Sequence, residues 1–123
     1  MNGVRLLLDT NIIIYYLNGV KETKSILKDN EFSISYVTAI EIIGYWKNTK
    51  RDISSIKKLL STFEIIYTDE QIMNKAIDLR LTYKLKTPDS IIAATSLVRD
   101  IPLVTADKDL ANTPNLYSIF FAI

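Results

Sequence analysis

The sequence predicts an α/β protein, a three-layer α/β/α sandwich around a central, mostly parallel sheet. Three observations carry this. Short apolar runs recur along the chain with helical segments between them, and that alternation calls for parallel strands joined by crossover helices. The first run, Val4-Arg5-Leu6-Leu7-Leu8, stays apolar over its last three residues, as a strand covered on both faces does. No repeat, low-complexity tract or Pro/Gly-rich linker divides residues 1–123, so one domain accounts for the whole chain.

The elements follow in order. After the first strand, helices are expected from Asn11 to Leu17 and from Glu22 to Asp29, then a strand at Phe32-Ser33-Ile34-Ser35. Helical spacing continues from Thr38 to Lys47 and from Ile53 to Phe63. Glu64-Ile65-Ile66-Tyr67 reads as a third strand, and Thr68 or Asp69 caps a helix from Glu70 to Tyr83. Thr87-Pro88-Asp89 has the signature of a helix start, with Thr at the cap, Pro at the first position and an acid in the first turn. Leu103-Val104-Thr105 and Leu116 to Phe121 complete the strands.

Composition narrows the chemistry. The chain has no Cys and no His, which excludes thiolate or imidazole metal sites, thiol nucleophiles and His-based triads. What remains is carboxylates, hydroxyls, Lys, Tyr or a hard cation. No signal-peptide pattern is readable, because Asp9 follows the first apolar run at once. The Ile12–Leu17 run is too short to cross a bilayer, so a cytoplasmic protein with no membrane association is expected. The net charge of +1 conceals an asymmetry. Setting four acids aside in one pocket leaves ten of the 14 acids against 15 bases. An acidic pocket in a mildly basic envelope suits a polyanionic substrate.

Four acids stand out. Asp9 follows the first strand and precedes a helix, where it serves either a site at the strand's carboxyl end or as a helix cap. Glu41 lies in Thr38-Ala39-Ile40-Glu41-Ile42-Ile43-Gly44-Tyr45. On so apolar a stretch a carboxylate is expected to be buried, hence paired with a base, protonated or metal-bound. Gly44, one turn on, offers close backbone approach or room for a ligand. Asp89 is expected as the second residue of its helix, where the dipole alone favours an acid. Asp107 follows the Leu103–Thr105 strand, with Asp109 two residues later as a substitute or helper. A parallel sheet brings strand-to-helix junctions to one edge, and carboxylates crowded there repel unless a cation compensates. An all-oxygen donor set selects Mg²⁺ or Mn²⁺, and phosphoryl transfer is the chemistry such sites serve.

The segments Leu8-Asp9-Thr10-Asn11, Thr38-Ala39-Ile40-Glu41, Thr87-Pro88-Asp89-Ser90-Ile91-Ile92-Ala93-Ala94 and Leu103-Val104-Thr105-Ala106-Asp107 resemble, in order, the four motifs of PIN-domain nucleases. In size the chain resembles the VapC toxins of toxin–antitoxin pairs. The resemblance implies a PIN-like fold, Mg²⁺- or Mn²⁺-dependent endoribonuclease activity on RNA, a homodimer and a small antitoxin protein as partner. It makes Asp9, Glu41, Asp89 and Asp107 the catalytic, metal-binding acids, with Thr105 and Asn11 as polar support. Some relatives carry the fourth acid two residues later, which keeps Asp109 in reserve.

Lys47, Lys50, Arg51, Arg80, Lys84 and Lys86 are candidates for RNA-backbone contact by charge, against the ordinary fate of a solvated helix face. Tyr15, Tyr16, Tyr45 and Trp46 are able to stack on bases, against core packing or an interface. Two other readings compete. A receiver-like signalling domain would use Asp69 as phospho-acceptor and leave Glu41 and Asp89 without a role. An inactive PIN scaffold would only bind a partner.

Overall fold

A computed structural model describes residues 4–122. The first strand, β1 (Arg5–Leu8), leads to the helices α1 (Thr10–Leu17) and α2 (Lys21–Lys28). Next come β2 (Glu31–Ser35), α3 (Tyr36–Ile43), α4 (Lys50–Leu60) and β3 (Glu64–Ile66). The chain continues through α5 (Glu70–Tyr83), α6 (Thr87–Arg99), β4 (Leu103–Thr105), α7 (Lys108–Ala111) and β5 (Ser118–Phe120). The five strands form one sheet in the order β3-β2-β1-β4-β5, and every pairing is parallel.

The period of two in β1 explains the three layers. Leu6 and Leu8 pack on one side of the sheet with Ile12, Ile13, Ile42, Ile56 and Leu60 from α1, α3 and α4. Leu7 points to the other side, among Ile72, Ala76 and Leu79 of α5 and Ile92, Ala93 and Ala94 of α6. Both faces of the central strand are therefore dry, which is why its last three residues are all Leu. The α/β/α sandwich expected from the sequence is the fold observed.

Several boundaries differ from expectation for local reasons. The α3 helix begins at Tyr36, because the Ser35 hydroxyl accepts the Val37 N–H. It ends at Ile43 with Gly44 as its cap rather than at Lys47, and the Asn48 side-chain amide donates to the Ile42 and Ile43 carbonyls at 2.8 and 3.2 Å. The α4 helix starts three residues early through a reciprocal Thr49–Asp52 capping box. Lys86, not Thr87, is the cap residue of α6, so Asp89 is its third residue instead of its second. The last strand is only Ser118–Phe120, and the short α7 was not anticipated. Asp69 caps α5 as expected, accepting the Ile72 N–H at 2.9 Å.

Candidate metal centre

The strand order reverses direction between β1 and β4, since the chain builds outward from β1 to β2 and β3 and then returns to add β4 and β5. Ligand sites of open parallel sheets lie at the carboxyl ends of the strands beside such a switch. Asp9 follows β1 there, and Asp107 follows β4 with one residue between. The Asp9 N–H continues the β1–β4 ladder onto the Val104 carbonyl at 3.0 Å, which fixes the backbone from which this carboxylate projects.

Asp9 is 5% exposed. Its Oδ1 accepts the Thr10 N–H at 2.8 Å, and its Oδ2 accepts the Thr105 hydroxyl at 2.7 Å. Burial pushes its pKa up from the usual carboxylate value; the hydrogen bonds from Thr105 and Thr10 oppose that, and the charges of Asp107 and Glu41 add to it. Asp9 caps α1 through its bond from Thr10 N–H, and with one hydrogen bond on each oxygen it keeps a further lone pair on each.

Asp89 is half-buried, and its carboxylate has no hydrogen-bond partner among the described residues. Burial raises its pKa, then the charges of Asp9, Asp107 and Glu41 raise it further; Lys86 acts in the opposite direction. The four acids singled out from the sequence therefore share one electrostatic environment. Asp109 does not figure in it. Its side chain is exposed, while its backbone N–H serves as donor to Asp107 Oδ1, which also caps α7 through Leu110 N–H. Of the two, Asp107 is the one whose charge acts on Asp9 and Asp89.

Glu41 is exposed, against the expectation of a buried acid on an apolar face. The helix turns Ile42 into the core and leaves Glu41 on the rim. Its partner is not a Lys or Arg but Thr10, whose hydroxyl donates to Glu41 Oε1 at 2.7 Å. Thr10 Oγ1 also lies 3.1 Å from Thr38 Oγ1. A hydroxyl has one proton, so with that proton on Glu41 it is Thr38 that donates to Thr10. This relay from buried Thr38 orients the acid from α3 toward the residue after Asp9.

The supporting roles divide unevenly. Thr105 is fully buried, donates to Asp9 and accepts the Asp107 N–H at 3.1 Å. Asn11 does not supply support, being exposed with no side-chain hydrogen bond among the described residues. Thr10 and Thr38 do so in its place. Their signal was present in the sequence, since Thr38 and Glu41 are one helical turn apart and Thr10 adjoins Asp9.

Asp69 lies outside this centre. It caps α5, pairs with Arg99 at 2.7 Å and lines a cleft with Arg5 and Glu64 rather than with Asp89 and Asp107, so it does not complete the acidic pocket that a receiver-like domain requires. Tyr45 and Trp46 are not core residues: the turn after α3 exposes both, Trp46 to 81%, with the Lys47 ammonium 5.0 Å from its ring centre. Among the described residues no helix is long and apolar enough to cross a membrane.

Among the described residues, no three acids already converge as a ready-made cation cage. The donor set nonetheless suits a hard divalent cation: carboxylates with free lone pairs, hydroxyls behind them and no softer ligand. Two of these acids carry raised pKa values, the condition a bound cation relieves.

Residues 6–116 match the PIN domain family. The chain belongs to that family. Among solved structures, it is similar to a toxin–antitoxin complex chain from Klebsiella pneumoniae, at 34% identity and a TM-score of 0.85, with 96% of this chain and 99% of that one covered. A chain of VapBC2 from Rickettsia felis, bound to a promoter DNA fragment, matches at 23% identity and 0.83 over 96% and 98%. VapBC-1 from nontypeable Haemophilus influenzae matches at 23% and 0.80 over 95% and 97%. The latter two identities speak for the fold alone. No curated protein matches this PIN domain at comparable stringency.

Proposed function

We propose that this PIN domain is a metal-dependent endoribonuclease and the toxin member of a toxin–antitoxin pair. One observation carries the reading: Asp9, Glu41, Asp89 and Asp107 share an electrostatic environment at the switch point of a chain that has no His or Cys. Asp9, Asp89, Asp107 and Glu41 would hold Mg²⁺ or Mn²⁺. When bound, the cation acidifies a water and steadies negative charge on the leaving oxygen. Thr105 fixes the rotation of the Asp9 carboxylate and ties it to the Asp107 backbone. Thr10 holds Glu41 at the rim, where a substrate phosphate arrives from solvent. Water attacks the phosphorus in line as the P–O3′ bond breaks and the 3′ oxygen leaves to be protonated, with no side chain as covalent nucleophile, so the ends are 5′-phosphate and 3′-hydroxyl.

The toxin reading draws on the 34% identical chain from a toxin–antitoxin complex. By that likeness the partner is an antitoxin; a small antitoxin, a homodimer as the working form and a cytoplasmic compartment are part of the same proposal, taken from the family resemblance. The test is incubation of the purified chain with single-stranded RNA in Mn²⁺ and in EDTA, followed by end-group mapping. Cleavage in Mn²⁺ alone, with 5′-phosphate products, is expected. Equal cleavage in EDTA, or 2′,3′-cyclic ends, contradicts the mechanism. No cleavage together with no Mn²⁺ binding returns the chain to the inactive-scaffold reading.

A further inference from the structure

Beside the acids runs a cleft of about 460 Å³, within the roughly 300–1,000 Å³ typical of small-ligand sites. Its lining brings Asp89, Asp107 and Asp109 together with Lys84 and Lys86 of the α5–α6 turn. The cleft thus carries both signs of charge, three carboxylates and two ammonium groups. Exposed lysines beside carboxylates are usually mere counterions, but the turn that carries these two is unusually well fixed. Lys84 closes α5 in the left-handed conformation (φ 58°), with its N–H on the Arg80 carbonyl at 3.0 Å. The Arg80 Nε–H reaches over to the Leu85 carbonyl at 3.1 Å, and the Leu85 side chain packs on the core beneath. Lys86 caps α6 three residues ahead of Asp89 and its charge reaches that acid.

Neither Lys84 nor Lys86 forms a salt bridge among the described residues. A fixed turn that presents two free ammonium groups along a cleft opening onto the acids has the form of a phosphate track. We infer that this cleft is the path of the RNA strand on one side of the scissile phosphate, with Lys84 and Lys86 as positioning residues for the flanking phosphates. The inference rests on the nuclease reading and adds to it a location and two residues. The carboxylates alone repel a polyanion; the lysines offset that repulsion at the point of entry.

The test uses the full chain with Lys84→Gln, Lys86→Gln, the double variant and the corresponding Lys→Arg variants. Binding of a fluorescein-labelled single-stranded RNA is followed by anisotropy in EDTA at several salt concentrations, and cleavage is followed in Mn²⁺. Each phosphate contact contributes about 0.7 to the slope of log Kobs against log salt for single strands. The double Gln variant should therefore lose about 1.4 of that slope, with a higher KM and little change in kcat, and Arg should restore both. Mn²⁺ affinity without RNA should stay level or tighten, since a positive neighbour has been removed; a merely structural role would move the thermal melts instead. An unchanged slope and KM in the double variant overturns the track while leaving the nuclease intact. A wild type that neither binds nor cuts RNA overturns both.

Discussion

Thr105 donates its hydroxyl proton to Asp9 at 2.7 Å across 96 residues of sequence. The same oxygen accepts the Asp107 N–H, so one buried side chain couples the acids that follow β1 and β4. Outer-shell partners of this kind typically matter about 10–100-fold in metal affinity or activity. Thr105→Val keeps the shape and removes the donor. It should lower Mn²⁺ affinity within that range, and Thr105→Ser should recover most of the loss. Equal Mn²⁺ affinity in Thr105→Val and wild type would reduce this bond to a packing detail.

Asp107 and Asp109 make a paired comparison. Asp107→Asn keeps a side-chain oxygen for the α7 cap, since Asn caps about as well as Asp, and removes only the charge near Asp9 and Asp89. Activity should fall at least about tenfold, by comparison with outer-shell losses. Asp109→Asn alters an exposed side chain whose charge does not act on Asp9 or Asp89, and should cost far less activity. The reverse ranking in RNA cleavage rates would move the fourth acid to Asp109.

The half-buried Asp89 lies among three like charges with no hydrogen-bond donor of its own. Without metal, Asp89→Asn should therefore melt at the same temperature as wild type or higher. Saturating Mn²⁺ should reverse the order, since the wild type gains about 2.7 kcal/mol at a hundredfold excess over Kd. Asp9→Asn is a less clean probe, because the amide cannot accept from both Thr10 and Thr105. A loss of stability in EDTA for Asp89→Asn would mark the residue as an ordinary first-turn acid.

A pH series gives the sign independently. The folded-state pKa of Asp89 lies above the ordinary 3.8, so across that window the folded protein binds more protons than the unfolded chain. Stability then falls as pH rises through the window. Asp52, whose pKa the Thr49 cap lowers, contributes with the opposite sign. The difference between wild type and Asp89→Asn removes that background. In EDTA the wild type should lose ground to the variant as pH rises above 3.8. A flat difference across the carboxylate range would contradict the crowding of charge at this site.

How much of this was legible beforehand follows the range of the interactions. The α/β/α layering was readable because Leu6-Leu7-Leu8 must bury both faces. The four candidate acids stand out because strand ends and motif order are local in sequence. Glu41 was misjudged as buried, since apolar neighbours say nothing of which way the helix rolls; Ile42 took the core position. The family resemblance points to Asn11 as polar support, whereas the structure gives the hydrogen bond to the Thr10 hydroxyl, which reaches α3. The Lys84–Lys86 turn was seen only as charge, because its fixation depends on Arg80 reaching the Leu85 carbonyl.

We propose that Asp9, Glu41, Asp89 and Asp107 together hold a divalent cation. Titration with Mn²⁺, with free ion followed by electron paramagnetic resonance, tests it without reference to any RNA. Saturable binding is predicted for the wild type, weakened at least about tenfold in Asp89→Asn, as losses at outer-shell positions already reach that size. Asp109→Asn should match the wild type. Absence of saturable binding, or equal affinity in wild type and Asp89→Asn, would contradict the account.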